Sequence, residues 1–483
     1  MSIKHTDYLR HDGLALAQMV RHRDASPSEL LEAAIAQMER VQPQINAVCW
    51  PELDTARETA AALPAAAEGP FAGVPMLLKD VALAARGFQL THGSRLFEGV
   101  RSEQDSELAA RLRSAGFNFF GRTTTPEFGA NCTSEALVYG EPTRNPWNLA
   151  HSAGGSSGGA AAAVAAGILP VAHGSDGGGS IRIPASCCGL FGLKPTRMRN
   201  PMGPVNGEGW GGLGVEHVVS RSVRDSAAVL DATHGADTGA PYAAPPFDGS
   251  YLQLLERDPA ALRIGLITDS PSGEPVHADC IAAAVDAAAL CERLGHHVEP
   301  TRLPDLDFDG FTRAMQLVVA AGTAQAVRAG CAMKGIRPSL DQLEASIFTA
   351  VDFALRHSAV DYADAITRMH GIGRRLGAFM ADYDVLLTPT LTAPPAPIGR
   401  YAANRDYVTH RTDTLRYTAF LPYFNASGQP AMSAPLHWNA AGLPIGVQFA
   451  AAVGREDLLF ALAAQLERAR PWFDRISPLA RAD

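Results

Sequence analysis

Residues 151–191 read HSAGGSSGGAAAAVAAGILPVAHGSDGGGSIRIPASCCGLF, and the fold is decided there. Two clusters of glycine and serine, GGSSGG at 154–159 and GGGS at 177–180, flank a run of small apolar residues. Glycine clusters let backbone N–H groups converge on a ligand, because no Cβ stands in the way. A flexible Gly/Ser linker shares that composition but carries no apolar run between its halves. The run predicts a packed helix over 160–167 and a strand over 169–173. The two clusters are therefore expected as structured loops at the ends of regular elements.

Working outward, SPSE at 26–29 is a capping box with proline at the first helical position. It opens an amphipathic helix with Leu30, Leu31, Ala34, Ile35 and Met38 on one face. A short strand is expected at 46–50 and a helix at 55–62. FAGVPMLLK at 71–79 is an apolar run ending in charge, the pattern of a strand buried on both faces. Helix 106–114 leads to a strand at 117–122. Further on come strand 262–267, helix 280–294, a mainly helical section at 308–383 and strand 385–390. A hairpin at 429–451 turns at 439–442, and a helix at 456–468 follows. Residues 235–258, rich in Pro, Gly and Ala, read as a loop or linker. This alternation predicts an α/β architecture, a central mixed β-sheet covered by helices on both faces. Strand signals on both sides of the helical middle favour one large interrupted domain spanning 1–483.

Of the 483 residues, 47% are hydrophobic and 19% charged, enough for a large buried core. A formal net charge of −9 argues against nucleic acid or an anionic membrane as partner. The seven cysteines have no regular spacing and no CxxC pair, which suits neither a disulfide framework nor a zinc site. The first residues, MSIKHTDYLRHDG, lack the apolar core of a signal peptide, and the longest apolar stretch is too short to span a bilayer. A soluble, cytoplasmic protein with reduced, buried thiols is expected. Lysine occurs only at positions 4, 79, 194 and 334, which leaves few candidates for a catalytic amine.

GSSGG at 155–159 matches the nucleophile elbow G-x-S-x-G, with Ser157 in the reactive place. An elbow follows a hydrophobic strand, whereas NPWNLAHS precedes this one, and neither His410 nor His437 is announced by its neighbours as the partner base. DGGGS at 176–180 offers more, because Ser180 follows three glycines whose N–H groups can face one point. Such a nest supplies donors to a tetrahedral oxyanion, each worth ~3–4 kcal/mol when removed. A serine without histidine can use a lysine that is neutral when it accepts the proton. Burial lowers a lysine pKa toward the useful range near ~7–8. Lys79 ends the apolar run and Lys194 sits in GLFGLKP at 189–195, so both are candidates. Either could equally snorkel to water from a strand end, and spacing does not choose between them. Lys4 and Lys334 read as solvent-facing.

GGSSGG at 154–159, DGGGSIRIPA at 176–185, CG at 188–189 and GLKPT at 192–196 together resemble the amidase signature family. GVPMLLKD at 73–80, GRTTTPE at 121–127, RSVRD at 221–225, NASGQPA at 425–431 and GLPIGVQ at 442–448 extend the likeness. It is strong over a signature core at 70–230, good over 420–470, and weak through a variable region at 240–415. The resemblance implies that Ser180 is the nucleophile, Ser156 a bridging serine on a cis peptide bond, and Lys79 the base. The two serines stand twenty-four positions apart, as in the family, which makes Ser156 rather than Ser157 the relay. The N–H groups of Gly177, Gly178, Gly179 and Ser180 are implied as the oxyanion site. Gly129, with 130–132 and the variable region at 310–420, is implied in the substrate pocket. Asp176 and Arg182 are expected to shape the loop rather than to react.

The implied activity is cleavage of small amide C–N bonds through an acyl-serine, extending to aryl or alkyl esters and carbamates. The implied partner is a small-molecule amide, with neither cofactor nor metal, and a homodimer is compatible with these features. TRNPWNL at 143–149, VAHGSD at 171–176 and GRED at 454–457 look similar to the bacterial aminohexanoate cyclic-dimer hydrolases, which act on small linear or cyclic amides. The family also contains the A subunit of glutamyl-tRNA amidotransferase, an alternative that works with partner subunits. A non-catalytic binding protein on the same fold is a further alternative, whose expected mark is a lost Lys or Ser. None is lost here.

Overall fold

Strands from both sides of the helical middle section meet in one sheet. The computed structural model describes residues 3–63 and 68–481. In it β1 (Val48–Cys49), β2 (Pro75–Lys79) and β3 (Asn118–Thr123) form a small sheet in the order β1-β3-β2. A hairpin follows from β4 (Arg144–Asn145) and β5 (Asn148–Ser152). The large sheet takes β6 (Val171–Asp176), β7 (Phe191–Lys194), β8 (Val215–Ser220), β9 (Arg263–Leu266) and β10 (His297–Pro300). It is completed by β11 (Val385–Pro389), β12 (Ala431–Trp438) and β13 (Pro444–Ala451). The order is β10-β9-β11-β13-β12-β7-β8-β6. β9 is parallel to β10 and β11, and every other neighbouring pair is antiparallel, so the sheet is mixed.

β2, β7, β8, β11 and β13 are buried at every residue, as strands covered on both faces must be. One core joins Leu30, Leu31 and Met38 of helix Pro27–Ile45 to β2 and to helix Gly158–Ala165. A second packs helices Ala278–Arg293 and Glu456–Ala469 against β9, β11, β12 and β13. Helix Gly158–Ala165 is buried all round, and only residues as small as its glycines and alanines let neighbouring backbone come so close. The capping box forms as expected, with Ser26 Oγ accepting from Glu29 N–H at 3.2 Å and Glu29 Oε2 accepting from Ser26 N–H at 2.8 Å.

Several boundaries differ from expectation for identifiable reasons. β6 starts at Val171, after a proline that has no N–H for a ladder, and runs on through Gly174, Ser175 and Asp176. Those three are poor strand formers, but they are held by register with His217, Glu216 and Val215 of β8. β2 begins only at Pro75, because Phe71 and Gly73 turn to donate to the carbonyls of Ala115 and Gly116. The β4–β5 hairpin, β8 and β10 were not anticipated, and β5 places a strand, although a polar one, directly before the first glycine cluster. β8 carries Glu216 and His217 at buried positions, which hides its strand character in the sequence. The stretch 235–258 contains one helical turn, Tyr251–Leu254, fastened by Asp231, which accepts from Tyr251 N–H and Ser250 Oγ at 2.6 Å each. All seven cysteines are buried and unpaired. Among the described residues no helix is long and apolar enough to cross a membrane.

Candidate active site

The two glycine clusters lie side by side. The first links β5 to helix Gly158–Ala165, and the second links β6 to helix Arg182–Cys188. Ser157 N–H donates to the Ser180 carbonyl at 3.1 Å, which ties one loop to the other. Gly154 permits this closeness, since a Cβ there would stand 2.9 Å from Pro184 Cα of the helix that follows the second loop. The peptide bond between Gly155 and Ser156 is cis.

Lys79, at the C-terminal end of β2, is fully buried, and its N–H donates to His173 Nδ1 of β6 at 3.2 Å. Its amine reaches into the first loop. Nζ donates to Ser156 Oγ at 2.7 Å, to Ser175 Oγ at 2.9 Å and to the Ser175 carbonyl at 3.3 Å. Burial pushes the Lys79 pKa down to about 7, although the carboxylates of Asp176 and Glu216 act in the other direction. Lys194 is equally buried and is also pushed down to about 7, by burial and then by Arg182. Its Nζ, however, donates to the Pro195 carbonyl at 2.8 Å and meets neither serine. Geometry therefore separates two lysines that sequence and acidity leave equivalent. Lys4 and Lys334 are exposed.

Ser180 lies on the wall of a narrow pocket, and its Oγ bonds to no described group. The loop before it is braced by Asp176. One carboxylate oxygen accepts from Gly179 N–H at 2.7 Å and the other from Ile181 N–H at 3.1 Å. Arg182 clamps both oxygens, at 2.9 and 3.0 Å, and reaches on to Gln448 Oε1 at 2.7 Å and Asn425 Oδ1 at 2.6 Å. Burial raises the Asp176 pKa, but Arg182, Lys194 and Asn425 outweigh it and hold the carboxyl well below the usual range. Gly179 sits at φ +126°, a backbone conformation that an L side chain rarely adopts. Its N–H is engaged by Asp176, whereas those of Gly177, Gly178 and Ser180 bond to no described group and remain available as donors. A Cβ on Gly129 would stand 3.3 Å from Ser156 Oγ, so this backbone closes the site from the opposite side.

Ser157, the candidate of the elbow motif, is fully buried, and its hydroxyl is taken up by the Ser175 backbone N–H and carbonyl, both at 3.2 Å. His410 is bonded to Ser346 and Tyr401, and His437 lies near Asp286, so neither meets a serine of the two loops. Of the pocket regions expected at 129–132 and 310–420, Gly129, Asn131, Cys132, Met315 and Arg411 line the pocket. Two participants escaped the sequence reading. Ser175 supplies two of the acceptors around Lys79 from within β6, and Trp210 lies against Gly177, where a Cβ would be 2.8 Å from its ring. Glycine at 177 was the available signal for a close-packed aromatic, but it does not say which one. Among the described residues no three His, Cys, Asp or Glu side chains are grouped to hold a metal ion.

Residues 29–460 match the amidase family. The chain is 39% identical over 479 residues to a 6-aminohexanoate-cyclic-dimer hydrolase of Pseudomonas sp. strain NK87, covering 97% of this chain and 96% of that one. The structure of a 6-aminohexanoate cyclic dimer hydrolase complexed with substrate superposes with a TM-score of 0.93 at 38% identity, over 98% of this chain and 100% of the other. A bacterial aryl acylamidase of the amidase signature family superposes with a TM-score of 0.89 at 29% identity, over 98% and 99% of the two chains. Sequence likeness over nearly the whole length and a shared tertiary fold lead to one conclusion, that this chain belongs to the amidase signature family of amide hydrolases.

Proposed function

We propose that the protein hydrolyses small linear or cyclic amides by acyl transfer to Ser180, with Ser156 as proton relay and Lys79 as base. The observation that carries this reading is the 2.7 Å hydrogen bond from the buried Lys79 amine to Ser156 Oγ. With its pKa near 7, a large fraction of that amine is neutral at physiological pH and able to accept a proton. Lys79 takes the Ser156 proton while Ser156 takes that of Ser180, whose Oγ attacks the amide carbon. The resulting oxyanion is received by the N–H groups of Gly177, Gly178 and Ser180. Ser156 then protonates the leaving nitrogen, the C–N bond breaks, and water hydrolyses the acyl-serine through the same relay run again. Because this chemistry needs only a leaving group that the relay can protonate, aryl or alkyl esters and carbamates fall within its reach. The likeness to cyclic-dimer hydrolases supports small, amide-rich substrates.

The test is a panel of anilides, lactams, primary amides and carbamates given to the purified chain alone, with fluorophosphonate labelling alongside. Hydrolysis without partner proteins and labelling at Ser180 are expected. A label elsewhere with Ser180 untouched would overturn the assignment, and a strict need for partner subunits would point to an amidotransferase subunit instead.

A further inference from the structure

Arg411 stands out on the pocket wall. It projects from helix Tyr407–Tyr417 into the cavity beside Ser180, and only 7% of its surface is exposed. Its Nη1 reaches the Ala130 carbonyl at 3.4 Å, a long contact, and its other partner is the Tyr407 hydroxyl, which accepts from the guanidinium while donating its own proton to the Gln316 carbonyl at 2.7 Å. Its Nε is buried without a hydrogen-bond partner. Among the described residues no carboxylate lies within 4.0 Å of the guanidinium. Asp413, on the same helix, is held by Arg405 at 2.8 Å. Two further titratable groups beside it stay neutral: burial holds the Cys132 thiol above its ordinary pKa and pushes His410 down to about 4.

A guanidinium buried with open donors and no counter-charge is costly, and an anion arriving beside it offsets that cost. Apart from the backbone N–H groups beside Ser180, which the oxyanion takes, the polar side chains Asn131, Thr414 and Thr418 of the pocket wall are already engaged. Asn131 is bonded to Tyr401, Thr133 and Cys132, while the Thr414 and Thr418 hydroxyls donate to their own helix. Arg411 is thus the open cationic donor of a cavity whose other end is the Ser180 hydroxyl. We infer that the substrate carries a carboxylate on its acyl part, received by Arg411, so that the preferred substrates are monoamides of dicarboxylic acids. The inference rests on the acyl-transfer reading above and makes Arg411 the specificity-determining residue.

The experiment compares para-nitroanilides of three kinds with the purified enzyme. The first are the monoanilides of succinic, glutaric and adipic acid. The second replace the carboxylate by a neutral methyl ketone of matched length, and the third end in a plain alkyl chain. At one or more lengths the carboxylate compound should exceed both neutral ones by about 10–100-fold in kcat/KM, the range of a charge-assisted hydrogen bond to a buried partner. That ratio should fall to near one in Arg411→Gln and be partly retained in Arg411→Lys, whereas a merely structural role would lower all three kinds together. Equal or better turnover of the neutral compounds at every length overturns the inference while leaving amide hydrolysis by Ser180 intact, and so does a preference that survives Arg411→Gln. No turnover of any anilide together with an unlabelled Ser180 overturns the acyl-transfer reading itself. Should Arg411→Gln not fold, the wild-type ratios and those of Arg411→Lys decide.

Discussion

Replacing Lys79 by methionine should abolish amide hydrolysis and at the same time make the protein more stable near neutral pH. The amine titrates near 7 in the folded protein against an ordinary 10.5, and each pH unit between them corresponds to ~1.4 kcal/mol, so burial of this lysine costs about 5 kcal/mol at low pH. The bonds to Ser156 at 2.7 Å and Ser175 at 2.9 Å return about 1 kcal/mol each, and methionine forfeits them. A net gain of about 2–3 kcal/mol is therefore expected for Lys79→Met at pH 7. The sign with pH follows from a folded pKa below the unfolded one. The penalty is fully present below about 7 and fades as pH rises toward 10.5, where the unfolded chain also loses its proton. Equilibrium urea unfolding of both proteins at about pH 7 and about pH 9.5 should show the variant's advantage shrinking by about 3 kcal/mol. In the wild type, kcat/KM should rise with a single ionisation near 7 and then level off. A Lys79→Met protein that is markedly less stable, with a deficit independent of pH, would mean that the amine is charged in the folded state. Lys79 could then not serve as a neutral base.

Ser156→Ala should lower kcat for an anilide by at least about 10³-fold with little change in KM, since the relay acts in the transition state; a rise in KM alone would make it a binding residue. Asp176→Asn leaves Arg182 without its counter-charge and should lower unfolding stability by about 3–5 kcal/mol, read as an earlier urea midpoint. Lys194→Met should keep kcat/KM within a few-fold of wild type with the same rise near 7, because among the described residues Nζ hydrogen-bonds only the Pro195 carbonyl; inactivity in a folded protein would move the base to that lysine.

Much of the candidate site is legible in the sequence because glycine clusters are local signals. GGSSGG and DGGGS announce backbone that must approach something closely, and the structure brings the two loops together through the Ser157 N–H and the Ser180 carbonyl. Strand limits were less legible where tertiary pairing overrode propensity. Gly174, Ser175 and Asp176 become strand only because β8 offers a partner at each position, and with that extension Ser175 moves beneath the Lys79 amine. The pocket wall is contributed by elements far apart in the chain, such as Trp210, Met315 and Arg411, and no periodicity links them.

Hydrophobic alternation and glycine spacing by themselves determined the α/β class and the candidates Ser157 and Ser180, and the scarcity of lysine left the short choice of bases, while Ser156 came from the family resemblance. Only the tertiary structure decided which lysine meets a serine. Lys79 and Lys194 are both buried and both pushed down to about 7, and the difference between them is a hydrogen bond across 77 positions of sequence. Solvation acts on each side chain separately, whereas proton transfer needs two groups within hydrogen-bonding reach, and that distance exists only once the sheet and its loops have packed.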